Sequence, residues 1–228
     1  MREAARSGRI AGTGRLFRAA RHLQLAPAGR FGGRTTRVKD MFSAQFFAQL
    51  REFEGFYAQP YVCPAGKATI GYGTNLEALP QYIPHADLRL QAKAGILTGL
   101  ALVRALKTRG MTWTHEQAEA AMREEITAIH TALEARCAAY RILRERGDTV
   151  RAEALLDMAY NMGVGRAPAP GRRGSGLLGF HATLPLIERA QYRTAAENLQ
   201  KSLWYKQVGR RARTICAQLA SGQYGAIR

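Results

Sequence analysis

The sequence predicts an α+β fold, and three observations carry the prediction. Phe42, Phe46, Leu50 and Phe53 recur at steps of three and four, the period of one apolar helix face. A β-prone segment punctuated by Gly66, Gly71 and Gly73 follows at once. From about Asp87 onward the apolar spacing is helical again, and no internal repeat is visible. The expected architecture is one helix, then a small sheet or hairpin lobe, then a mainly α-helical C-terminal lobe.

The first helix is expected to start at Asp40 or Ser43 and to end at Gly55. Glu54 then sits at a helix C-terminus, where the dipole gives a carboxylate no support and favours its protonated form. Taken alone, one glutamate at a helix end reads as a solvated surface charge. In "PYVCPAGKATIGYG", Pro64-Ala65-Gly66 is a turn between two β-prone stretches, which makes a hairpin or small sheet. Gly71 and Gly73 within a strand point to a bulge or a close backbone approach.

"LRLQAKAGILTGLALVRALKTRG" reads as one apolar helix ending at Gly110. The next helix opens on a capping box, Thr114 with Gln117, and places Ala118, Ala121, Met122, Ile126, Ile129 and Leu133 on one face. "TVRAEALLDMAYNMGVG" is a further helix, ended by Gly163. Residues 165–176, "GRAPAPGRRGSG", have no apolar content to bury and read as a loop. Helical segments are expected at His181 to Arg189, Arg193 to Leu203 and Arg210 to Ala220.

A chain of 228 residues with 46% hydrophobic content is long enough for one domain with a full core, or for a domain with an appendage. Its three cysteines, Cys63, Cys137 and Cys216, are widely spaced and form no C-x-x-C pair, so three reduced thiols are expected and no metal site or cofactor. The net charge of +17 predicts binding to polyanions, either nucleic acid or an anionic bacterial envelope. Residues 1–40 hold ten Lys/Arg against Glu3 and Asp40, a net of +8, with repeated Gly-Arg pairs. They are expected to be a basic, disordered arm ahead of a folded domain over 41–228. Met41 is a plausible second start, because the helical pattern begins just after it. No N-terminal apolar run has the form of a secretory signal, so a cytoplasmic start is expected.

The segment Arg51 to Asn75, "REFEGFYAQPYVCPAGKATIGYGTN", sets Glu54 beside a glycine, then Cys63 after eight intervening residues, then Thr69 after five more. This spacing resembles the active-site hairpin of the phage-type lysozymes, the muramidases of tailed-phage endolysins. Two further blocks carry the likeness. "ALLDMAYNMGVG" is similar to the family's long central helix, and "AAENLQKSLWYKQVGRRA" is similar to the C-terminal segment of the T-even phage lysozymes. The resemblance covers roughly residues 42–228, with diverged stretches at about 77–112 and 165–176. It implies a lysozyme-like fold with a cleft between the two lobes.

Glycoside cleavage needs one acid for the leaving oxygen and a second group serving the opposite ring face. The resemblance implies Glu54 as general acid, Thr69 as the group that positions the attacking water, and inversion of configuration. Cys63 stands where other members carry Asp or Cys. It either supplies negative charge as a thiolate or is a small packed residue. The resemblance further implies that Asn75, Tyr160, Thr183 and Asn198 line the sugar groove, with Asn161 a further polar candidate. It places Arg211 near Glu54, where its charge opposes the effect of the helix end. Trp204 is expected to pack in the core. Thr74 departs from the family's histidine, which pins the sheet through a charged partner, and Leu203 replaces a polar or basic residue.

The implied activity is hydrolysis of the β-1,4 bond of peptidoglycan by a monomer that waits in the host cytoplasm and reaches the periplasmic wall through a holin. The rival from another class is a lysozyme-fold module that binds wall or polyanions without cleaving them. A nucleic-acid-binding function is disfavoured, because no RRM, helix-turn-helix or zinc-finger signature accompanies the charge.

Overall fold

The computed structural model describes residues 41–225. The expectation for the arm, residues 1–40, lies outside them. Helix α1 (Ala44–Glu54) leads into an antiparallel sheet of β1 (Tyr57–Val62), β2 (Ala68–Gly71) and β3 (Thr74–Asn75), in the order β1-β2-β3. A 3-10 turn (Pro80–Tyr82) and the helices α2 (Ala86–Lys93) and α3 (Gly99–Thr108) complete the first lobe. The long helix α4 (His115–Arg136) packs on β2 and β3 near its start and on α5 (Ala138–Glu145) and α6 (Thr149–Met162) further on. A second 3-10 turn (Leu177–Gly179) and helices α7 (Leu184–Glu188), α8 (Tyr192–Gln200), α9 (Leu203–Val208) and α10 (Arg210–Ser221) finish the second lobe.

Two apolar cores correspond to the two lobes. The small one gathers Ala68 and Ile70 of β2 with Leu76, Ile83, Leu88, Leu102, Val103, Leu106 and Met111. The large one is built on Phe46, Phe47 and Leu50 of α1, the inner face of α4, and most of α6 and α10. Each such fully buried side chain contributes about 1.5–3 kcal/mol. Trp113, just before α4, packs against both cores and joins them.

Local signals explain most of the boundaries. Ser43 Oγ accepts from Phe46 N at 3.1 Å to start α1, and Gly55 at φ 65° ends it. The capping box of Thr114 and Gln117 is formed in both directions, at 3.3 and 2.9 Å. All six residues expected on the inner face of α4 are buried. The expected single helix ending at Gly110 is instead two. Gly95 turns the chain at φ 70° after α2, and Thr98 precedes a new start at Gly99. That break lets Gly99 lie against the hairpin turn, where an added Cβ would come 2.8 Å from Gly66 O. The Pro/Gly/Arg stretch is a short hairpin rather than an open loop, closed by bridges Arg166↔Ser175 and Ala169↔Arg172. Helices α5 and α9 were not anticipated, and α7 and α8 stop short of their expected spans.

Candidate active site

Glu54 is the last residue of α1, separated from β1 by Gly55 and Phe56, and so stands where the lobes meet. Its Oε1 accepts a hydrogen bond from Nη1 of Arg211 at 2.9 Å, and the Glu54 side chain is 10% exposed. Arg211 lies near the start of α10 and is itself buried, with Nε donating to Oδ1 of the fully buried Asp157 on α6 at 2.6 Å. Burial works against the guanidinium charge. Asp157 and then Glu54 outweigh that cost and hold the proton more tightly than usual. Asp157 Oδ2 accepts from Gln49 Nε2 at 2.9 Å, and Gln49 Oε1 accepts from Gln218 Nε2 at 2.6 Å. Phe53 lies under the guanidinium, 5.4 Å from its carbon to the ring centroid.

The hairpin carries the other two residues of the predicted triplet. Cys63 opens the turn: its N–H donates to Lys67 O at 2.9 Å and its carbonyl accepts from Gly66 N at 2.8 Å. The Cys63 thiol is free and partly exposed, whereas Cys137 and Cys216 are buried. Burial pushes the Cys216 thiol up to about 12 and raises that of Cys137. Thr69 is 2% exposed and its Oγ1 donates to Lys67 O at 3.0 Å, which leaves the hydroxyl oxygen as an acceptor.

Strand register places the predicted residues. Tyr61 pairs with Thr69, and Thr69 with Asn75, so these three share one side of the sheet. Ala68 and Ile70 face the other way, into the small core. Gly71 is required where the sheet meets α4: it has φ 63°, and a Cβ would stand 2.8 Å from Ala118 Cβ and 2.9 Å from Trp113.

The hairpin is fastened on two sides. Glu77 Oε1 accepts from Ala68 N at 3.0 Å and Gly99 N at 2.8 Å, and its Oε2 accepts from Lys67 Nζ at 2.9 Å. Burial opposes the Glu77 charge, yet Lys67 and the two backbone N–H groups outweigh it and hold the carboxyl below its usual range. On β3, Thr74 Oγ1 donates to Glu125 Oε1 of α4 at 3.0 Å. The threonine thus makes the tie to a charged partner that the missing histidine had put in doubt.

The expected groove residues fall into three groups. Asn75 is half-buried, and its Oδ1 accepts from Glu77 N and Ala78 N at 3.0 and 3.2 Å, so the oxygen shapes a turn. Tyr160 has no exposed surface and Asn161 is 2% exposed. Tyr160 Oη reaches Tyr72 O at 3.4 Å, and Asn161 Oδ1 accepts from Trp204 Nε1 at 3.0 Å. They stand behind the surface, and Trp204 packs in the large core as expected. Thr183 and Asn198 are brought together, Oγ1 donating to Oδ1 at 2.9 Å, with Asn198 partly exposed and Leu203 exposed nearby in sequence.

The sequence reading did not anticipate Asp157, Gln49, Gln218, Glu77 or Glu125. Gln49 and Gln218 did carry a signal, as polar residues on otherwise apolar helix faces. Among the described residues no cluster of His, Cys, Asp and Glu could hold a metal ion, and no helix is long and apolar enough to cross a membrane.

A three-stranded hairpin lobe joined by a long helix to a helical lobe, with an acid and arginine at the junction, defines a lysozyme-like α+β protein. The chain belongs to the phage lysozyme family, whose family model matches residues 51–221. At family level this makes it a peptidoglycan-degrading lysozyme, a glycoside hydrolase of muramidase type.

Proposed function

We propose that the chain hydrolyses the β-1,4 bond between N-acetylmuramic acid and N-acetylglucosamine, and that this lyses the bacterial host. The observation that carries the reading is the placement of Glu54. It ends α1 at the lobe junction, paired with Arg211, and leads directly into the hairpin that bears Cys63 and Thr69.

In this reading Glu54 gives its proton to the glycosidic oxygen as the bond from the muramic acid anomeric carbon breaks. Thr69 Oγ1 accepts a hydrogen bond from a water on the other face of the sugar. The oxygen of that water bonds to the anomeric carbon with inversion, and its proton passes to a base. Cys63 as a thiolate is the candidate base and charge partner. If it is only packing, the water loses its proton to solvent. Asn75, Thr183 and Asn198 take part in sugar binding, with Tyr160 and Asn161 bracing the groove from behind.

The net charge of +17 concentrates the enzyme on the anionic envelope. The protein acts as a monomer, accumulates in the host cytoplasm, and reaches the periplasmic wall through a holin. No cofactor takes part.

Digestion of purified sacculi, followed by borohydride reduction of the new ends, tests the bond. Muramitol is the expected product, and glucosaminitol would exclude the proposed bond. The rival reading, a wall-binding module without activity, predicts that sacculi bind the protein and release no soluble fragments.

A further inference from the structure

We infer that Asp157 is a positioning residue for the proposed reaction: it holds Arg211 from behind and competes with Glu54 for its charge, so that Glu54 can carry the proton it donates. The inference rests on the reading of Glu54 as general acid.

One guanidinium serves two carboxylates. Nε is committed to Asp157 at 2.6 Å and Nη1 to Glu54 at 2.9 Å. With both acids ionised the cluster has a net charge of −1 in a site where Arg211 is 3% and Asp157 0% exposed. Such a charge is costly away from water, and one proton removes it. The two acids are not equivalent hosts for that proton. Asp157 accepts from Gln49 Nε2 as well as Arg211, and Gln49 is itself held by Gln218. Both Asp157 oxygens thus face donors, Gln49 Nε2 and Arg211 Nε, and among the described residues neither meets an acceptor that a carboxyl proton could use. Glu54 sits at the carbonyl end of α1, where the helix dipole works against a carboxylate, so the proton falls to Glu54.

The other charged groups packed around the cluster are already engaged. Arg210 pairs with Glu52 on the solvent side. Glu153, one turn before Asp157 on α6, accepts from Ser43 N, Ser43 Oγ and Tyr224 Oη. Tyr224 holds its own proton well above the usual phenol range, through burial first and then Glu153. Arg211 Nη2 is buried and makes no protein hydrogen bond among the described residues, which leaves Nε and Nη1 as the arms that divide the charge.

The test is the pH profile of sacculus hydrolysis for wild type and Asp157→Asn. Removing the buried negative charge leaves Arg211 wholly to Glu54 and favours the ionised acid. The alkaline limb should move to lower pH by about one unit or more. Activity at pH 7 should fall and recover at lower pH, with kcat changing and KM held. Asp157→Glu should keep the limb near its original place. If the Asn variant does not fold, Asp157→Ser removes the same charge and leaves room for water at Nε, with the same shift expected. A limb that stays in place, or a uniform loss at every pH, in whichever charge-removing variant folds overturns the inference. So does loss of folding in both, since Asp157 would then be needed for the fold itself. These outcomes differ from failure of the acid assignment, which Glu54→Gln reports independently by staying active.

Discussion

Glu54 Oε1 lies 2.9 Å from Arg211 Nη1, a contact that joins the last residue of α1 to the start of α10 across 157 positions of sequence. It sets the candidate acid at the edge of the large core, just ahead of the hairpin in the chain. The hairpin's own position depends on Glu77 and Thr74, so the site is as dependent on these two ties as on the residues proposed for chemistry.

Thr74→Val keeps the shape of the side chain and removes the hydroxyl that bonds Glu125. Thr74 is 1% exposed, so no water replaces the bond at no cost. A hydrogen bond to a charged acceptor contributes about 1.5–3 kcal/mol. Urea denaturation should show a loss of that size, and an unchanged midpoint would remove Thr74 from the account.

Glu77 makes stability depend on pH with a definite sign. Its folded carboxyl sits below the usual range, so its contribution is full above the unfolded carboxylate range, about 4.3, and is lost as pH falls through the folded value. Glu77→Gln should be less stable than wild type at pH 7 by about 1–3 kcal/mol. The gap between the two proteins should narrow towards pH 3. A gap that holds constant with pH would show that the charge is not what matters.

How much of this was legible beforehand follows from the range of each interaction. The ends of α1, the capping box of α4 and the β1–β2 turn rest on neighbours three or four residues apart, and short motifs announce them. The break between α2 and α3 was missed because alanine and leucine continue across it. Only Gly95 and Thr98, read together as a stop and a start, would have marked it. Glu54, Cys63 and Thr69 are legible as a motif because one short segment, the end of α1 and the hairpin after it, holds them. Asp157 and Gln49 are not, because their contacts span 54 to 169 positions and no local spacing encodes them.

Cys63 separates two accounts of the hairpin. If the position carries negative charge in the reaction, Cys63→Asp should keep most of the activity and Cys63→Ala should lose much of it. The acid limb of the Asp variant should lie at lower pH than in wild type, because carboxyls ionise well below thiols. A small alkylating reagent should inactivate wild type and spare the Asp variant, since Cys137 and Cys216 are buried. Full activity and an unchanged profile in Cys63→Ala would assign Cys63 to packing.

A chain starting at Met41 should fold and remain active, because Ser43 anchors the start of α1 through Glu153. Its melting point should lie within a few degrees of the full chain. Losing a net +8 should weaken wall binding mainly at low salt. Failure of this shorter chain to fold would make residues 1–40 an integral part of the domain.

The most direct test is turbidity loss of chloroform-treated Gram-negative cells by wild type and by Glu54→Gln at equal concentration, with circular dichroism to confirm that both are folded. The amide keeps an oxygen for Arg211 and has no proton to give to the glycosidic oxygen. The account predicts a drop in lysis of at least about a hundredfold in a folded protein, the scale of a lost general acid. Lysis within a few-fold of wild type would contradict it.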